Sequence, residues 1–266
     1  MSRRLTILAG AGALVPEIIS GAKAAGDEVQ VLPLVDRGDL GLSERFWVGD
    51  LPKLLWRIKS FRSTHVTMVG GLKATAEDRA AFKRFAGSKG KSGDATLLKL
   101  AERMLGMTGA RVIGAESIVP EILVGAGLVA GPVVDPALGP AIAFALEAAR
   151  ALGRRDLGQA VVTTDRQVIA EEDIDGTDAL LDRVAAGRAG RNAGGLLVLA
   201  KAVKPQQSRL SDRPAVGPET VRRAAAAGIS IIAVEAGGAI LVDRPAVIAA
   251  ANEHGISIVG VASHGP

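Results

Sequence analysis

Short apolar runs recur along the whole chain, and most of them end in glycine or in a cluster of polar residues. Leu5–Ala9, Glu28–Leu34, His65–Val69, Arg111–Ile113, Gly195–Ala200, Ser230–Val234 and Ser257–Val261 are of this kind. Between such runs lie segments with helical spacing, at Leu14–Ala25, Ala76–Phe85, Thr96–Leu105, Asp135–Leu152, Thr177–Ala186, Pro218–Ala227 and Pro245–Ala251. Apolar runs too short for helices, alternating with helices, predict strands buried on both faces of a largely parallel sheet.

The texture changes after Gly153-Arg154-Arg155. Ala160–Thr164 and Gln167–Ala170 flank a Thr164-Asp165-Arg166 turn and predict a hairpin, so the second sheet should be mixed. Ala239–Val242 predicts a further strand, and the polar stretch Lys204–Pro214 predicts a long loop. The expected fold is α/β with two domains and a ligand cleft between them. The first is a Rossmann-like parallel-sheet domain at residues 1–130. A linker at 131–136 is suggested by Gly127, Gly131, Pro132 and Pro136, and a catalytic α/β domain with a mixed sheet follows at 137–266.

Composition removes several chemistries. The 266 residues contain no Cys and no Tyr. Disulfides, thiol nucleophiles, cysteine-held metals and a Ser-Tyr-Lys dehydrogenase acid are therefore excluded. The three histidines, His65, His254 and His264, are too scattered to predict a shared metal site. Carboxylate, lysine, arginine, hydroxyl and backbone chemistry remain. The net charge of +4 and the small aromatic share of 3% fit anionic small molecules or an anionic membrane surface better than nucleic acid. Arg3-Arg4 before Leu5–Val15 superficially resembles a signal peptide. Gly10, Gly12 and Pro16-Glu17 instead make it read as strand, turn and helix. No window supplies a transmembrane span, so a soluble or peripheral protein is expected.

Candidate chemistry gathers at predicted strand ends. Gly10-Ala11-Gly12 can present backbone N–H groups to an anion at a helix N-terminus, or it can be a plain strand-to-helix turn. It is a poor dinucleotide fingerprint, because Val15 stands where the third glycine belongs and Asp36 is the nearest acid to the second strand. Gly70-Gly71-Leu72-Lys73 lets a phosphate approach the backbone, with Lys73 to meet it, and Asp94 can cap the helix that follows it. Gly90-Lys91-Ser92 is not a Walker A loop, since Phe85 occupies the position of its first glycine.

Three clusters belong to the second half. Glu171-Glu172-Asp173-Ile174-Asp175-Gly176-Thr177-Asp178 is either a solvated, helix-capping run or a place to hold Mg²⁺ through oxygen. Lys201, Lys204, Gln206, Arg209, Asp212 and Arg213 lie on the predicted loop after an apolar strand, where open α/β sheets bind ligands. That loop can equally be a solvated basic surface. Glu235 ends another strand before Gly237-Gly238.

These stretches also carry a resemblance. They are Leu8-Ala-Gly-Ala-Gly-Ala-Leu-Val-Pro16, Gly93-Asp94-Ala-Thr-Leu97-Leu98, Val119-Pro120-Glu121-Ile-Leu123 and Gly158-Gln159-Ala160-Val161-Val162. Farther on come Asp175-Gly176-Thr177-Asp178, Lys201-Ala-Val-Lys204-Pro-Gln206, Asp212-Arg-Pro214-Ala-Val-Gly217 and Ala233-Val-Glu235-Ala-Gly237. In this order they resemble the UDP-2,3-diacylglucosamine pyrophosphatase family of lipid A biosynthesis, in the version distinct from calcineurin-like metallophosphoesterases. One departure is Ser208, where that pattern usually carries an Asp, which shifts weight to Asp212.

The resemblance implies Mg²⁺-dependent hydrolysis of the pyrophosphate in UDP-2,3-diacylglucosamine to UMP and 2,3-diacylglucosamine 1-phosphate, or lipid X. It implies Asp212, Glu235 and Lys201 as catalytic groups and Asp178 with Asp212 as metal ligands. Substrate contacts are expected from Gly10, Gly12, Gly71, Lys73, Asp94, Gln159, Thr177, Arg183, Lys204 and Gln206. The expected partners are the diacylated UDP-sugar and lipid X, the cytoplasmic face of the inner membrane as a peripheral site, and a second copy in a homodimer. A non-catalytic nucleotide-sugar or lipid binder, and less readily an NAD(P)-dependent oxidoreductase, are the alternatives.

Overall fold

The computed structural model describes residues 2–46, 51–71, 102–188, 195–204 and 213–262. Two units emerge, one of residues up to Pro120 and the other from Glu121 onward.

The first unit holds a sheet in the order β2-β1-β3-β4, built from β1 (Arg4–Ala9), β2 (Glu28–Pro33), β3 (His65–Val69) and β4 (Arg111–Val112). All its pairings are parallel, as the apolar runs predict. Helices α1 (Leu14–Ala24) and α2 (Leu51–Ser60) connect the strands. Leu8, Leu32, Leu54, Ile58, Val66 and Leu105 form a closed core, with α2 contributing its Leu51, Leu54 and Ile58 face. The predicted helix Ala76–Phe85 lies outside the described residues, as does most of Thr96–Leu105, of which residues 102–105 are helical.

The second unit is a six-stranded mixed sheet in the order β5-β12-β10-β8-β6-β7. Its strands are β5 (Gly127–Ala130), β6 (Ala160–Thr163), β7 (Val168–Glu171), β8 (Val198–Lys201), β10 (Ile231–Glu235) and β12 (Ser257–Val261). β8, β10 and β12 run parallel, and the predicted hairpin β6–β7 adds to β8 antiparallel. A short parallel pair, β9 (Ala215–Val216) with β11 (Ile240–Leu241), stands apart from it.

Side-chain alternation divides the sheet. Val198, Ala200, Ile231 and Ala233 pack with Ile142, Leu146 and Ala149 of α3 (Gly139–Arg154). Leu199, Ile232 and Val234 face the opposite core, made by α4 (Gly176–Arg188), α5 (Pro218–Ala226) and α6 (Arg244–His254). With a period of two, Lys201 follows Leu197 and Leu199 onto the α4 side, whereas Glu235 follows Ile231 and Ala233 onto the α3 side.

Two expectations need correction. The linker at 131–136 does not separate the units, because β5 at 127–130 already pairs antiparallel with β12 of the second sheet. The second unit therefore starts before that glycine- and proline-rich stretch, which the second sheet and α3 enclose. The long helix expected from Asp135 begins instead as a short 3₁₀ turn, Pro136–Leu138. Asp135 accepts the Ala137 N–H there, and α3 continues from Gly139.

Candidate active site

Lys201 sits at the end of β8, buried, with its Nζ donating to the Ala215 carbonyl at 2.8 Å. The Ala215 strand is therefore held by the side chain that the sequence put forward for phosphate. Burial pushes the Lys201 ammonium below the usual lysine range, while the carboxylates of Glu172 and Asp178 pull it back up.

Glu172 is the organising carboxylate on this side. Its Oε2 accepts the backbone N–H groups of Gln159 at 2.6 Å and Ala160 at 3.1 Å, and its Oε1 accepts the Thr177 hydroxyl at 2.6 Å. The hairpin register explains how. Val161 lies opposite Glu171, so the next residue folds back over Ala160 and its own N–H reaches the Ala160 carbonyl at 2.9 Å. A Cβ on Gly158 would lie 2.8 Å from the Glu172 carbonyl oxygen, so that approach requires glycine. The Gln159 side-chain oxygen next to it is buried without a hydrogen-bond partner, and its backbone carbonyl accepts the Ala202 N–H at 3.0 Å.

The structure thus brings Lys201, Glu172, Thr177, Gln159 and Asp178 to one sheet end. Asp178, in the first turn of α4, is exposed and acts electrostatically on Lys201. Arg183 stands at the edge of this group, whereas Lys204 lies against Gly153 of α3. Arg183 bonds the Glu171 carbonyl at 3.1 Å and pairs with Asp173 at 3.1 Å, and Lys204 pairs with Asp156 at 3.3 Å.

Glu235 is not part of it. Its Oε1 accepts Arg150 Nε of α3 at 2.7 Å and its Oε2 accepts the Val203 N–H at 2.9 Å, on the other face of the sheet. Both oxygens of this carboxylate, expected among the catalytic groups, are engaged in anchoring the end of β8 on α3. Gln206, Asp212, Lys73 and Asp94 lie outside the described residues.

In the first unit, Gly10 and Gly71 are joined differently from the expectation. Gly10 N–H reaches Val69 at 2.8 Å, and Ala11 and Gly71 exchange both backbone bonds at 2.8 and 2.9 Å. The N–H groups of Gly10 and Ala11 are consequently not open to an anion. A Cβ on Gly10 would lie 2.6 Å from the Gly71 carbonyl, and Gly12 has φ +107. The carbonyls of Gly10 and Gly12 accept from buried Arg37 Nη1 at 2.7 and 3.4 Å, while Asp39 takes the same guanidinium at 2.6 and 2.8 Å. A cavity of about 430 Å³ opens beside this turn, lined by Ala11, Gly12, Ala13, Pro16, Asp36, Arg37 and Asp39.

Sequence reasoning missed Arg37, Arg150 and the separate status of Glu172. An arginine three residues beyond an apolar strand carries no motif, and Glu172 is one of five carboxylates in a run. Only hairpin register singles it out.

The donors suit a hard, oxygen-preferring cation in part. Asp178 is an open carboxylate, and a magnesium ion keeps several waters and takes one or two protein carboxylates. Among the described residues no three His, Cys, Asp or Glu side chains gather as a metal cluster.

Residues 4–122 match the family model described as the LpxI N-terminal domain, and residues 125–259 match the LpxI C-terminal domain. The chain belongs to the LpxI family. The seam between the two matches falls beside the Pro120/Glu121 division of the fold. The chain is similar to the UDP-2,3-diacylglucosamine pyrophosphatase LpxI of Caulobacter vibrioides, 34% identical over 277 residues that cover 97% of this chain and 98% of that protein. Both halves of the LpxI architecture are therefore present.

Proposed function

We propose that the chain is a hydrolase of lipid A biosynthesis that cleaves the pyrophosphate of UDP-2,3-diacylglucosamine, releasing UMP and 2,3-diacylglucosamine 1-phosphate, with Mg²⁺ required. Full-length similarity to the Caulobacter pyrophosphatase is the observation that carries this reading. The buried ammonium of Lys201 supports it chemically, because a cation fixed at a strand end stabilises charge that develops on a phosphate.

In this reading Lys201 faces the pyrophosphate, and Glu172 fixes the Gln159–Ala160 backbone and the Thr177 hydroxyl around it. Lys204 and Arg183 add positive field. Asp212 orients the water and receives its proton as the water oxygen bonds to one phosphorus, while the bridging oxygen leaves with the other phosphate. Asp178 and Asp212 would hold Mg²⁺, which would supply charge neutralisation for the pyrophosphate. Glu235 positions the β8 end rather than reacting. Gly12, Lys73 and Asp94 are further substrate contacts in this reading.

The decisive experiment incubates the purified chain with UDP-2,3-diacylglucosamine in detergent micelles, with Mg²⁺ or with chelator, and follows UMP. UMP release that stops on chelation is expected. Asp212→Asn should lower turnover by about 10²-fold or more, and near-wild-type turnover in that variant would sink its assignment. Tight substrate binding with no UMP would instead make the protein a binder.

A further inference from the structure

Helix α2 turns one face into the core, and among the described residues no element covers the other. Leu51, Leu54 and Ile58 are buried, whereas Trp56 on the outward side is 62% exposed. Lys53 and Lys59 are placed three residues before and after Trp56, so they flank the indole on the same helical face. Arg57 follows, and Arg62 lies just beyond the helix end; all four cations keep substantial exposure except Arg57, which is intermediate. No acidic residue occurs in α2. Glu44 meets Lys53 at 3.2 Å and Arg57 at 3.4 Å, through exposed pairs of the kind that hold little energy. Lys59 and Arg62 have no carboxylate partner among the described residues. Among the described residues no helix is long and apolar enough to cross a membrane.

We propose that the outward face of α2, with Trp56 at its centre and Lys53, Arg57, Lys59 and Arg62 around it, docks the protein on an anionic phospholipid bilayer. The inference rests on the proposed function in one respect: a diacylated substrate resides in a bilayer, so an enzyme consuming it has reason to dwell there. The occupant is chosen by charge and by the indole. An amphipathic ring settles at the level of the headgroups, and surrounding cations are drawn to anionic lipid within a Debye length. A nucleic-acid partner would ask for several stacking rings, and this face offers one.

The full-length protein with Trp47→Phe, which leaves Trp56 as the sole indole, is mixed with phosphatidylcholine vesicles with and without phosphatidylglycerol. Expected are co-sedimentation and a blue-shifted emission with phosphatidylglycerol only, reversed by salt. Trp56→Ser, and separately Lys53→Glu with Lys59→Glu, should weaken vesicle binding by about tenfold or more, with unchanged melting temperature and unchanged UMP release from micellar substrate. Equal binding by the variants overturns the proposal, as does an absence of vesicle binding in a protein that still hydrolyses micellar substrate. Absent hydrolysis with intact, variant-sensitive vesicle binding would instead remove the proposed activity and leave the docking face standing.

Discussion

Lys201 is costly where it stands. Among the described residues this buried ammonium has one carbonyl acceptor and no direct carboxylate contact, and burial lowers its affinity for a proton. Lys201→Met should therefore cut UMP release by about 10²-fold while leaving the melting temperature level or higher. The pH dependence has a fixed sign. The folded value is lower than the ordinary 10.5, so the unfolded chain holds more protons between the two, and wild-type stability should rise with pH across that window. The Met variant should lack that rise, which paired thermal melts from neutral to alkaline pH will show. Glu172→Gln tests the opposite case. It keeps the shape but weakens three hydrogen bonds to a carboxylate, and a loss of about 1–3 kcal/mol in denaturant unfolding is expected, together with a fall in kcat larger than any change in KM. None of this is legible in the residues alone. The sequence picks out Lys201 by its place after an apolar run, but burial, which decides its chemistry, is a property of Ala215 and α4 folding over it.

At the level of elements, strand runs were read well because each is buried on both faces and thus nearly uniform in polarity. β1, β3, β8, β10 and β12 all lie where the apolar runs place them. β5 and β9 show the limit, whereas β11 falls inside the apolar run Ala239–Val242. Gly127–Ala130 reads as a glycine-rich break because half of it is exposed at the sheet edge, and the two residues of β9 have no periodicity to detect. The face on which a strand-end residue emerges was also hidden, so Lys201 and Glu235 look equivalent in sequence yet leave opposite sides of the sheet. The strand starts of the first unit offer a further test. Arg3 binds Asp27 at 2.6 Å. Burial raises the Asp27 pKa, but the hydrogen bonds and charge of Arg3 outweigh it and hold it below the ordinary 3.8. This stabilisation is present above 3.8 and is lost as pH falls through the folded value. Asp27→Asn should lose about 1.5–3 kcal/mol at neutral pH, and its deficit relative to wild type should close in strongly acidic melts.

For the molecule as a whole, the second unit is an open six-stranded sheet with a core on each face and should fold alone when it begins at Glu121. A fragment that starts at residue 137 lacks β5 and leaves β12 as an unpaired edge, a template for association. Size-exclusion chromatography should find the 121–266 fragment monodisperse with a cooperative melt, and the shorter one aggregated or markedly less stable. Two-domain α/β organisation was visible in the alternation of runs. The seam was misplaced because glycine and proline mark irregular backbone, whether it joins two units or simply carries an edge strand into a helix.

The buried charge of Lys201 also ties folding to solution composition. Any anion that settles against that ammonium in the folded protein, and finds no such seat in the unfolded chain, shifts the folding equilibrium by mass action. The protein should accordingly be hardier in phosphate than in an equal ionic strength of chloride, and hardier still with its own phosphorylated product. During turnover, its most resistant form would be the one still holding product.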